Sequence, residues 1–148
     1  MDGEIAVSFE GSTLVDWAAY ARARAELGTQ FVRILGYFRE DGVKSVVAVE
    51  AAMRADNAGG MVIPAHTLKG EARQFGAEPL AMLAETIEMA ARDCVELHDS
   101  PRDLLETVVR LRPLFNETLT LLEREASPAV ERRPTTFGRR GAVSFGRA

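Results

Sequence analysis

His66 is followed by Lys69, Gly70 and Arg73, offsets that bring all four together on one face of a helix. The other face of the same stretch carries Ala65, Leu68, Ala72 and Phe75, the apolar stripe of a helix packed in a bundle. A glycine inside a helix costs roughly 1 kcal/mol relative to alanine, so Gly70, one turn from a solvent-facing histidine, contributes nothing to packing. It makes sense if another molecule must approach the imidazole closely, because Gly70 has no side chain to obstruct it and Lys69 can meet an anion. Neutral imidazole, with an unperturbed pKa near ~6.5, is a nucleophile at cellular pH without a helper base. It can take a phosphoryl group and later surrender it, since the phosphoramidate bond is labile. Such transfer chiefly needs in-line positioning and positive charge around the phosphoryl oxygens, and Lys69 offers part of that charge.

Other chemistries find little support. Zinc needs three or four protein-side ligands, whereas the helical neighbours of His66 are Val62, Lys69 and Gly70. His98, the second histidine, falls at a helix end, where a cation meets the dipole favourably; it reads as structural. Nothing resembles a nucleophile elbow, a Walker motif or a glycine-rich ATP loop. The single cysteine, Cys94, excludes an internal disulfide and a cysteine-rich metal site.

The elements that must position His66 are helical. Residues 1–11 read as an arm in which Ile5, Val7 and Phe9 alternate. Ser12 or Asp16 can cap a first helix that stops at Gly28. Thr29 opens a second helix ending around Glu40-Asp41-Gly42, and a third runs from about Val43 to Ala55. Asp56 to Gly60 is turn chemistry. The His66 helix begins between Gly60 and Pro64 if proline occupies its first turn; a start nearer Ala58 would have Pro64 kink it. Glu78-Pro79 opens a fifth helix with Leu80, Leu83, Ile87, Ala90, Ala91 and Cys94 inside, and Ser100-Pro101 opens the last, which Pro113 should bend. The expected fold is all-α: an up-down antiparallel four-helix bundle spanning 12–126, with additional short N-terminal helices and a flexible C-terminal tail.

That tail, residues 127–148, carries five arginines against Glu131, a local charge of +4 that leaves −8 on the rest. An acidic body is a poor nucleic-acid binder taken whole, and no nucleic acid is expected as a partner. The tail repeats Phe137-Gly138-Arg139 and Phe145-Gly146-Arg147, which reads as a solvated tail or as a docking motif for a partner or for the body itself. No segment approaches a membrane span of ~20 apolar residues, and the amino terminus lacks a signal-peptide layout. A cytoplasmic monomer is the expectation, with no membrane partner.

The run Ala65-His66-Thr67-Leu68-Lys69-Gly70, followed by Ala72, Phe75, Gly76, Ala77 and Leu80, resembles the signature of histidine-containing phosphotransfer (HPt) domains. The resemblance extends from about Val15 to Glu125 and includes the Asp16-Trp17 start. It implies a phosphorelay intermediate in which His66 accepts phosphate from an aspartyl phosphate on a receiver domain and passes it to another receiver. It further implies that Lys69 supports the phosphoryl group and that Gly70 gives the receiver clearance. Response-regulator receiver domains and a histidine or hybrid kinase are the implied partners; no cofactor is expected on this chain, with Mg²⁺ supplied by the receiver. Val62, Glu71 and Arg73 are candidate partner contacts. Glu71 and Pro64 depart from the family pattern, and Glu71 could repel an acidic receiver site or face sideways. The alternative is a non-catalytic helical adaptor that holds a receiver or kinase without being phosphorylated.

Overall fold

The computed structural model describes residues 14–127. The 1–11 arm, the Ser12 cap and the Phe-Gly-Arg repeats lie outside the described residues. Within them every regular element is helical: α1 (Trp17–Leu27), α2 (Phe31–Arg54), α3 (Gly59–Gln74), α4 (Glu78–Leu97), the short α5 (Leu105–Val108) and α6 (Leu111–Ala126). Single 3-10 turns, Gly28–Gln30 and Pro101–Leu104, join α1 to α2 and lead into α5. Helices α2, α3, α4 and α6 form the up-down four-helix bundle; α3 packs between α2 and α4, and α1 lies across the end where α3 gives way to α4.

Asp16 caps α1, its Oδ1 accepting from the N–H groups of Ala18 and Ala19 at 3.1 Å each. Gly28 ends α1 with φ of 57°, a left-handed conformation that glycine adopts without a Cβ penalty. The long helix α2 differs from the two helices expected over the same residues. Glu40-Asp41-Gly42 has the composition of a stop, yet Gly42 is buried inside α2, and a Cβ there would lie 2.3 Å from Cε1 of Phe115. Gly42 is the place where an α6 aromatic lies against α2 backbone.

Helix α3 starts at Gly59, with Asn57 Oδ1 accepting from Gly60 N–H at 3.0 Å. Pro64 therefore sits beyond the first turn, and the N–H it lacks would have gone to the Gly60 carbonyl. The last helix also differs from expectation. It is interrupted at Val109-Arg110, so Pro113 falls in the first turn of α6, where proline is tolerated. Leu105, in the short α5, is exposed.

The core is threaded by an aromatic series, Trp17–Tyr20–Phe31–Phe75–Phe38–Phe115, with successive ring centroids 5.0–5.7 Å apart in edge-on or tilted geometry. Tyr20 Oη donates to the Leu122 carbonyl at 3.0 Å, and burial pushes its phenol up to about 12. The Arg24 guanidinium donates to the Glu125 and Ala126 carbonyls, capping the end of α6. Two-pronged ion pairs, Arg39–Glu123 and Arg112–Glu50, tie α2 to α6. At the α3–α4 turn, Gly76 has φ of 79°, and a Cβ there would come within 2.6 Å of the Asp16 carbonyl. Only glycine lets α1 sit that close, and the Asp16 N–H donates to the Gly76 carbonyl at 2.8 Å.

Candidate functional site

Helix α3 places its residues as the periodicity requires. Ala65, Leu68, Ala72 and Phe75 are fully buried, and the His66 side chain is 57% exposed. Gly70 is exposed one turn on, and a Cβ built on it would meet no atom within 4 Å. Nothing inside the protein demands a glycine there; the space it keeps open lies outside.

The organising group of the site comes from α4. Glu88 is buried, its side chain 3% exposed, and its two oxygens hold three partners. Oε2 is 3.0 Å from His66 Nδ1, Oε1 is 2.8 Å from Lys69 Nζ, and Arg92 donates to Oε2 from Nε at 3.1 Å and Nη2 at 2.9 Å. Burial pushes the Glu88 carboxyl up, but the hydrogen bonds from Lys69, Arg92 and His66 outweigh it and hold the group at about 2. An ionised carboxylate only accepts, so the proton of the neutral imidazole must lie on Nδ1. The lone pair is then on Nε2, at the solvent end of the ring. With Glu88 ionised, Lys69 and Arg92 leave the cluster around the neutral ring one positive charge in excess.

Glu88 was not singled out from the sequence, although a signal was present. It continues the series Ala81, Ala84, Glu88, Ala91 along the inner face of α4. A carboxylate in such a stripe needs a partner to be buried. Lys69 shares the His66 side of α3, but it is not a free cation: only 17% of its side chain is exposed and its ammonium rests on Glu88.

The three candidate partner contacts are distributed differently. Arg73 is exposed on the His66 side and bridges to α4, 3.3 Å from Glu78 and 3.0 Å from Glu85. Val62 is half-buried and packs on the core. Glu71 is five residues from His66, roughly 140° around the helix, and it turns towards Asp41 on α2. Burial first, and then the Asp41 carboxylate, raise the Glu71 carboxyl to about 7, and its Oε1 is buried without a hydrogen-bond partner. Pro64, two turns before Glu71, lies on the same side of α3. Both departures from the family pattern therefore belong to the α2–α3 seam. His98 ends α4 in the left-handed conformation, φ 57° and ψ 39°, away from this cluster.

Comparison with known proteins agrees with this architecture. The sequence matches the Hpt domain family over residues 33–126. The fold is similar to that of histidine-containing phosphotransfer protein B (HptB) from Pseudomonas aeruginosa PAO1, with a TM-score of 0.69 and 20% identity. That alignment covers 78% of this chain and 96% of the other. No curated protein sequence matches. The chain belongs to the Hpt domain family, whose role is histidine phosphotransfer in phosphorelays, where such domains interact with receiver domains and kinases. Among the described residues no helix is long and apolar enough to cross a membrane.

Proposed function

We propose that His66 is the phosphoacceptor, taking a phosphoryl group from a receiver-domain aspartyl phosphate and passing it to another receiver. The observation that carries this reading is the Nδ1-to-Glu88 hydrogen bond, which leaves the Nε2 lone pair facing solvent beside the open Gly70. Nε2 attacks phosphorus, the bond from phosphorus to the aspartyl oxygen breaks, and the aspartate carboxylate leaves with the bonding electron pair. No proton has to leave Nε2. The positive charge that develops on the ring is met through Nδ1–H by Glu88, already ionised. In the onward step a receiver aspartate attacks the same phosphorus and Nε2 is the leaving group, so the neutral imidazole is restored.

Lys69 serves the phosphoryl oxygens from one turn away. Its ammonium would exchange Oε1 of Glu88 for a phosphoryl oxygen, while Arg92 keeps Oε2 paired. The Mg²⁺ that such chemistry uses would arrive with the receiver. Gly70 allows the receiver's loops to come down to the imidazole, and Val62 and Arg73 border that approach, whereas Glu71 faces the α2–α3 seam.

The test is to incubate the protein with a phosphorylated receiver and Mg²⁺ and follow the label. Acid-labile, base-stable label on the wild type and none on His66→Gln is the expected result. Equal labelling of His66→Gln overturns the assignment, and binding without any label on the wild type indicates the adaptor instead.

A further inference from the structure

A second surface lies on α4, away from the His66 face. Between α4 and the α5–α6 segment runs an apolar groove of about 730 Å³, with the less exposed Leu83 and Leu114 at its floor and Met82, Val109 and Pro113 on its walls. Met82 and Val109 are 56% and 58% exposed, and apolar side chains gathered in this way mark a contact surface. Thr86, on the α4 wall, precedes Glu88 by two positions, roughly 160° around the helix. The groove and the imidazole therefore use different flanks of α4.

Charge marks the two ends. Because α6 runs antiparallel to α4, Pro79 and Glu117 lie at one end of the groove, and Thr86 and Arg110 at the other. Arg110 and Glu117 are seven positions apart, which is two turns or about 10 Å along one side of the chain. Both are exposed, and among the described residues neither makes an ion pair. The middle is apolar. Pro113 and Leu114 fall halfway between Arg110 and Glu117, and Met82 falls near the midpoint of Pro79 and Thr86.

Such a surface is complementary to its own reversed copy. A two-fold axis that lies across the groove, in the plane of contact, sets one copy on another with the ends exchanged. Arg110 of each copy then meets Glu117 of the other, once at each end. An axis along the groove would oppose each Arg110 to its own counterpart, which like-charge repulsion disfavours. Met82 comes to the axis, where its unbranched side chain can extend into the facing groove.

We propose that the chain forms a reversible two-fold dimer through this groove, in place of the monomer expected from the sequence. Arg110 of each copy pairs with Glu117 of the other around a centre of Met82, Pro113 and Leu114. The seam is only about two turns of each helix long, which suits reversible association. Both His66 faces stay open, so the dimer stands apart from the phosphoacceptor assignment.

The experiment measures the mass of the full chain by sedimentation over a concentration series, with ¹³C-methyl methionine spectra of the same samples. The mass should rise from 16.2 kDa towards twice that value, and the Met82 signal should move in step while the fully buried Met61 stays fixed. Arg110→Glu alone and Glu117→Arg alone should each weaken association about tenfold or more, because either reversal opposes like charges at both ends of the seam. The two single variants mixed should associate with each other, and the double variant Arg110→Glu, Glu117→Arg should dimerise as the wild type does. A mass of one chain at every concentration overturns the proposal. So does a dimer that ignores both reversals. A Met82 signal that is independent of concentration but moves when residues 1–12 or 128–148 are removed also overturns it, since a terminus of the same chain would then be the occupant.

Discussion

His66 Nδ1 lies 3.0 Å from Oε2 of Glu88, a buried carboxylate on the neighbouring helix 22 residues later in the chain. This pairing fixes which ring nitrogen is free to react, so its removal should be felt in rate as well as in stability. Glu88→Gln should lower the rate of phosphoryl transfer to His66 by about tenfold or more, the scale on which orienting partners of a reactive histidine act. It should also let the second imidazole tautomer appear in ¹⁵N spectra of His66. Unchanged rate and tautomer would show that the carboxylate is only a packing partner of Lys69 and Arg92.

The same carboxylate predicts a stability profile. Its folded-state pKa, about 2, is depressed from 4.5, so its contribution is present above pH 4.5 and is lost as pH falls towards 2. Urea midpoints of wild type and Glu88→Gln should therefore differ most at neutral pH, by an amount corresponding to about 1–3 kcal/mol. The gap should close through that acid window.

Two glycines make opposite predictions. Gly70→Ala adds a methyl group to open space in a helix and should stabilise the fold by about 0.5–1 kcal/mol. Gly70→Leu should keep the fold and impair transfer from a receiver, because the added bulk occupies the approach to His66. Gly42→Ala should instead destabilise by about 1–3 kcal/mol, since its Cβ would overlap Phe115. Thermal midpoints separate the two sites, and normal transfer rates in Gly70→Leu would remove the clearance role.

Those glycines also show what was legible in the sequence. Period and offset placed Gly70 beside His66 and gave the buried stripe of α3, because both depend only on local helix geometry. The bundle class followed in the same way. Gly42 reads as a helix stop because its neighbours Glu40 and Asp41 suit a turn; the reason it continues the helix is Phe115, 73 residues away. Pro113 reads as a bend within one long helix, whereas the chain breaks at Val109-Arg110 and gives proline a first turn. Glu88 was missed for a related reason. The local period around His66 points only along α3, and its partner stands among the alanines of α4.

Lys69 holds Glu88 in the resting protein, and phosphoryl support requires it to let go. Lys69→Gln should reduce transfer by on the order of 10²-fold, the loss typical of one charge-stabilising donor. Stability should fall less than in Glu88→Gln, because Arg92 and His66 still face the carboxylate. A double-mutant cycle between positions 69 and 88 should return a coupling of about 0.5–3 kcal/mol in stability. A coupling near zero would mean that the 2.8 Å pair contributes nothing in solution.

Glu71 gives a pH dependence of the opposite sign from Glu88. Burial, together with Asp41 on α2, raises its folded-state pKa from 4.5 to about 7. Between those values the folded protein binds more protons at this site than the unfolded chain, so stability falls as pH rises through the window. Above pH 7 the ionised, half-buried carboxylate is a standing cost. Glu71→Gln, which keeps the shape and removes the charge, should leave stability nearly unchanged at pH 4 and raise it by about 1–3 kcal/mol at pH 8. The gain should develop between pH 4.5 and 7. Asp41→Asn should recover a smaller part of it, because burial is the larger cause and the Asp41 charge the lesser. Equal effects of Glu71→Gln at pH 4 and pH 8 would show that the carboxyl reaches solvent and has no role at the α2–α3 seam.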